Sequence, residues 1–204
     1  KLMFDRQTLS LWNQFTGEPV AGPLAKSGIK LKIRPVAITS WADWRANHPD
    51  TKVLSLETGY IRDYGSGVVY RDYFSSPDLM FPTLVDQSVL KQKDYVYGIR
   101  VAGGAKAWPV EAFEGGKVIN DRVGFSNVVL VGDAATRTVR AYDRGDLEFS
   151  GEGKVVSGPG GIWKVTEDAL EGPEGQRMPR LPGHIAYWFA WDGYLGAESE
   201  LYGG

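Results

Sequence analysis

The sequence predicts a mainly β protein: two related antiparallel modules packed together, with one or two short helices. Three observations lead there. Aromatic and β-branched runs are short and alternate with turn formers, 26 Gly and 11 Pro in 204 residues, a composition of brief strands joined by tight loops. Helix signals are confined almost entirely to one stretch near residue 40. Two stretches also recur, in the same order, near the two ends of the chain.

Taken in order, the opening "KLMFDRQT" shows no apolar h-region, so no signal peptide is visible. "LKIRPVAI" (31–38) reads as a strand. "SWADWRANH" reads as a helix of two or three turns: Ser40 caps it, Asp43 lies near the positive end of its dipole, and Pro49 stops it. Residues 60–94 show little periodicity and predict a long irregular connection, ending in a helix or turn at "DQSVLKQKD". Strands follow at 95–102, 117–123, 127–133 and 138–143. Gly103-Gly104 predicts a two-residue hairpin, "LVGDAATRTVRAYD" a longer one, and "DRGDLEF" a third turn.

The recurrence pairs "LWNQFTGEPVAGP" (11–23) with "IWKVTEDALEGP" (162–173). Further on, Pro35, Ile38, Trp41 and Trp44 correspond to Pro182, Ile185, Trp188 and Trp191 with the same spacing. Two tryptophans at i and i+3 share one helix face, and large rings on one face are read as core or module–module packing rather than as ligand platforms. The expected organisation is a partial first module (1–59), the irregular connection (60–94) and a complete second module (95–204). The second copy has a lead-in of several strands that the first lacks. The chain is therefore expected to be a piece of something longer, since strands without neighbours leave an open edge.

Composition excludes several classes of function. Lys and Arg number 23 against 25 Asp and Glu, for a net charge of −2, and no basic block suggests nucleic acid. No apolar run approaches the roughly 18 residues of a membrane span. With no cysteine, disulfides, thiolate metal sites and thiol catalysis are excluded within these residues. No P-loop, dinucleotide fingerprint or serine nucleophile elbow occurs. No cofactor is expected.

The run "MFDRQTLSLWNQFTGEPVAGPL", then "TSWADWRANHPDTKVLS", "TGYIRDYG" and "SSPDLMFP", resembles the domain of unknown function 3179 family of bacteria and archaea. "YGIRVAGGAKAWPVEAFEGGKVINDRVGFSNVVLVGDAATRTVRAYDR" is similar to that family's lead-in segment, so the resemblance covers nearly the whole chain. It implies kinship without an established activity. It also implies export, because members often begin with a secretion or lipoprotein signal. The family's lead-in commonly holds a Cys-Pro-Leu-Cys element; on this copy its cysteine positions fall at about Asp133 and Thr136, so both thiols are absent.

The densest polar and aromatic cluster is "TGYIRDYG" with "YRDYFSSPD", which supplies Tyr60, Arg62, Asp63, Tyr64, Arg71, Asp72 and Tyr73. Two readings of it stay open. Arginine would hold a carboxylate, phosphate or sugar hydroxyl between tyrosine faces, or Arg–Asp pairs would pin a loop to the body of the protein. His48 and His184 are the only imidazoles and occupy non-matching repeat positions, so a shared metal site is not expected; His48 joins the candidate ligand-binding residues. The expected function is a secreted or envelope-associated β-rich module that binds or assembles without catalysis in these residues. Its partner would be a carbohydrate, another protein or a larger assembly. The alternative is an extracytoplasmic enzyme or metal-handling protein with its site at the 58–73 loop.

Overall fold

Short extended runs need backbone partners, and the structure shows which of them find one. The computed structural model describes residues 2–203, in two compact units spanning residues 1–36 and 37–204. In the first, β1 (Leu2–Asp5), β2 (Ser10–Asn13) and β3 (Pro19–Ala21) form an antiparallel sheet in that order. Trp12 on the central strand lies opposite Met3 and Pro19 and is buried. A turn brings Gly22 back so close that a Cβ there would fall 2.6 Å from the Leu9 carbonyl, at φ +90°. Only glycine suits that position.

Residues 31–38 depart from the expected strand: they belong to no strand or helix. Leu31 N–H donates to the Gly17 carbonyl (2.8 Å), yet no strand pairs with the run among the described residues. β-branched composition favours an extended chain, but a strand exists only when a neighbour completes its ladder.

The second unit opens with α1 (Trp41–Asn47), capped as the sequence indicates: Ser40 Oγ accepts from the Asp43 N–H at 3.1 Å, and the helix ends at His48. Residues 60–94 are irregular apart from α2 (Arg71–Ser75). Then come β4 (Tyr95–Val101), β5 (Gly104–Pro109), β6 (Lys117–Val123), β7 (Ser126–Asp133) and β8 (Thr138–Asp143). Five short strands follow: β9 (Ser150–Glu152), β10 (Val155–Gly158), β11 (Gly161–Val165), β12 (Ala169–Glu171) and β13 (Arg177–Pro179). The unit ends with β14 (Gly183–Tyr187), α3 (Trp188–Leu195) and β15 (Ser199–Leu201). The β4–β5 hairpin loop is Ala102-Gly103, one residue earlier than expected, because Gly103 supplies φ +85° and Gly104 already pairs with Val101.

Strands β13-β12-β11-β10-β9-β6-β7-β8 form one antiparallel sheet. Its two ends meet through an antiparallel bridge between Tyr142 and Arg180, so the sheet curls towards closure. A second sheet, β14-β4-β5-β15, is antiparallel except for its β5–β15 pair. Side chains alternate across β7: Val128 and Leu130 join a core with Tyr97, Ile99, Trp108 and Phe113. Val129 and Val131 join another with Tyr142, Phe149, Trp163 and Leu170. Burial on both faces explains why this strand reads as a continuous apolar run rather than an alternating one. The protein is mainly β, with 36% strand and 13% helix.

Candidate functional site

The 58–73 loop is largely exposed, and its residues separate. Tyr60 and Tyr64 are exposed; the Tyr64 hydroxyl lies 2.7 Å from Thr58 Oγ1, and the Arg62 guanidinium sits 5.7 Å from the Tyr60 ring centroid. Asp63 Oδ1 accepts from the Gly65 N–H at 2.8 Å, a local turn. Arg71 and Asp72 lie in the first turn of α2. Among the described residues no ion pair joins any of these four charged side chains. His48 stacks on Trp44 (centroids 4.0 Å apart) and, with Asn47, Pro49, Asp50 and Thr51, lines a shallow depression.

Tyr73 behaves differently. Lys93 Nζ lies 3.6 Å above its ring and donates to the Tyr73 and Ser76 carbonyls at 2.6 and 2.7 Å. The same stretch is tied down elsewhere: Gln92 Nε2 donates to the Pro77 carbonyl, and Trp188 Nε1 to the Asp86 carbonyl. The Lys93 and Gln92 bonds fold the connection back on the residues just before β4, and the Trp188 bond ties it to the start of α3.

The fold thereby assembles a cluster of aromatic rings and cations that neighbouring letters do not reveal. Tyr95 opens β4 and Tyr187 closes β14; antiparallel register sets them opposite each other, ring centroids 4.6 Å apart and hydroxyls 2.9 Å apart. Phe189 continues the row, stacked on Tyr187 at 5.9 Å. Arg137, in the β7–β8 hairpin, holds its guanidinium 4.3 Å from the Tyr95 ring centroid, and its Nη1 donates to the Tyr95 hydroxyl at 3.2 Å. Stacking of an exposed arginine such as Arg137 on an aromatic face is an attraction of about 0.5–1 kcal/mol.

The surroundings of Tyr187 and Tyr73 favour their protonated phenols. Burial, then the hydrogen bond to Tyr95, pushes the Tyr187 hydroxyl well above the ordinary tyrosine value. Burial followed by the Tyr95 charge raises Tyr73. At neutral pH the cluster therefore offers hydroxyl hydrogen bonds, ring faces and two fixed positive charges. Sequence reading singled out Tyr73 but missed Lys93, Tyr95, Arg137, Tyr187 and Phe189. The available signal was the aromatic ends of two runs that later pair, legible only once β4 and β14 are known to be neighbours.

Elsewhere the polar groups are structural. Glu167 bridges Arg140 Nη2 (2.5 Å) and Arg180 Nη1 at the seam of the curled sheet. Asp121 takes the Trp108 indole N–H at 2.9 Å and pairs with Lys106 at 3.0 Å. Among the described residues no group of three or more His, Asp or Glu side chains is placed to hold a metal ion, and no helix is long and apolar enough to cross a membrane. No curated protein and no solved structure matches the chain. One family model does, described as a protein of unknown function (DUF3179), and it matches residues 1–198. The chain, with its β-rich architecture and its aromatic clusters, belongs to that family.

Proposed function

We propose that the protein is a secreted or envelope-associated module that binds or assembles rather than catalyses, with its contact surface at the tyrosine cluster beside the 58–73 loop. One observation carries this reading. Tyr73, Tyr95 and Tyr187 come from three separate segments and converge, incompletely buried, beside Lys93 and exposed Arg137. Amphipathic rings beside cations suit recognition: they offer broad contact area with few rotors to freeze, and polar tips for orientation. Export is supported by the family resemblance.

A duplicated module is part of the same reading. β1-β2-β3 and β10-β11-β12 have the same antiparallel order, with Trp12 opposite Met3 in one and Trp163 opposite Val156 in the other. Each is followed, later in the chain, by a helix that begins at a tryptophan, α1 and α3.

The test is cosedimentation of the purified protein with isolated cell-envelope polymers and envelope membranes, using wild type and the variants Tyr73→Ala and Tyr187→Ala. Retention by one fraction, reduced at least fivefold in both variants, is expected. Retention by none, or retention indifferent to both substitutions, overturns the proposal.

A further inference from the structure

Arg137 is the least economical residue of the cluster. It is not glycine, yet it adopts φ +53° in the left-handed region, where a side chain is disfavoured. The strain arises where the hairpin turns, its N–H donating to the Ala134 carbonyl at 3.1 Å. Glycine would satisfy that turn without strain. What arginine adds is the guanidinium on the Tyr95 ring. Strain held at a surface position points to a task other than folding. No carboxylate of the described residues forms an ion pair with it, although four of the chain's other arginines do.

From Arg137 a row of stacked groups runs through Tyr95 and Tyr187 to Phe189, in steps of 4.3, 4.6 and 5.9 Å. The Tyr95 and Tyr187 hydroxyls meet beside the guanidinium end. The row therefore presents a cation and hydroxyls at one end and ring surface at the other. Pyranose rings lay their C–H faces on aromatic surfaces and bond their hydroxyls to phenols, while a carboxylate pairs with a guanidinium. An uncharged sugar leaves the arginine unused; a simple carboxylate leaves the rings unused.

We propose that this row binds an acidic polysaccharide, a chain of uronic acid residues, with one carboxylate on Arg137 and a pyranose face on Phe189, the ring that ends the row. The proposal rests on the binding-module reading and names the ligand class for that site.

Calorimetric titration of the whole chain with tetragalacturonate and tetraglucuronate, each against its methyl ester, tests it. The ester keeps the sugar and removes the charge. At least one acid form is expected to bind ten times or more tighter than its ester. Arg137→Gln should erase that difference, while Tyr187→Ala should weaken acid and ester alike. Arg137→Gly should also erase the preference yet raise the melting temperature, because it relieves the backbone strain; this outcome separates lost recognition from lost folding. Equal binding of acid and ester, or a preference that survives Arg137→Gln, overturns the charge assignment while leaving a saccharide-binding module standing. Absence of binding to all four oligosaccharides overturns the ligand class, and the envelope cosedimentation then judges the module reading separately.

Discussion

Glu167 is the residue on which the seam of the large sheet depends. Its carboxylate meets Arg140 and Arg180, and the Arg180 side chain is only 4% exposed. Two nitrogens of that guanidinium, Nε and Nη2, are buried without a hydrogen-bond partner, so Glu167 is the main compensation for its charge. Burial would raise the Glu167 carboxyl, but the hydrogen bonds and charges of Arg140 and Arg180 together hold it below the ordinary value. A carboxyl depressed in the folded state stabilises above its unfolded pKa and loses that contribution as pH falls. Glu167→Ala should therefore cost about 1–2 kcal/mol near neutrality, less than for a fully buried pair because the Glu167 side chain is 37% exposed and screened by water. The difference from wild type should shrink as pH drops below about 4.3, the ordinary glutamate value. Urea titrations of both proteins across that range would check this; a constant difference would contradict it. His184 adds to acid sensitivity in the same direction: burial, then the Arg100 charge, lowers its pKa, so neutral imidazole is favoured and protonation works against the fold.

At the scale of elements, the two tryptophan pairs have the same spacing and different roles. On α3, Trp188 and Trp191 are buried; Trp191 lies so close to β4 that a Cβ on Gly98 would fall 2.0 Å from its ring. On α1 no residue is buried, and Trp41 is 51% exposed. Core burial, one of the two kinds of packing expected of both pairs, thus holds for the second and not for the first. The reason is a neighbour: β4 lies alongside β14 and supplies the glycine floor under Trp191, whereas among the described residues no strand pairs with residues 31–38. Trp191→Ala should cost about 3–5 kcal/mol and Gly98→Ala about 1–3 kcal/mol. Trp41→Ala should change stability by about 0.5 kcal/mol or less. Chemical denaturation of the three variants measures the contrast. Similar costs at Trp41 and Trp191 would show that α1 is packed more tightly than its exposure indicates.

At the scale of the whole molecule, protection is unevenly distributed. β7 is sandwiched between two cores, and β6 and β8 flank it in long antiparallel ladders. In the unit of residues 1–36, Trp12 is the one large apolar side chain that is buried among the described residues, while Leu2, Met3 and Phe4 are exposed. Amides that open only with global unfolding exchange far more slowly than those freed by local opening. Hydrogen exchange should find β6–β8 slowest and β1–β3 faster by several orders of magnitude. Uniform protection across both regions would count against this division.

Much of the β-rich architecture was legible from the letters. The runs at 117–123 and 138–143 became β6 and β8 residue for residue, because turn formers bound them on both sides and their ladders are local. Ser40 was readable as a cap because capping is a contact between residues three apart. The short strands β9 to β13 carry too few residues for a pattern to register. The candidate site was legible only at Tyr73; the rest depends on contacts between segments 20 to 92 residues apart in sequence.

The sequence by itself determined the β class, the hairpins, the helix cap, the family and the lack of cysteine in these 204 residues. These depend on backbone preference, side-chain type and short-range contact, which neighbouring residues settle among themselves. Tertiary structure decided which extended runs become strands, which tryptophans are core, and that Tyr73, Tyr95, Tyr187 and Arg137 share one surface. Each of those outcomes requires a partner from a distant part of the chain, and only folding says which partner arrives.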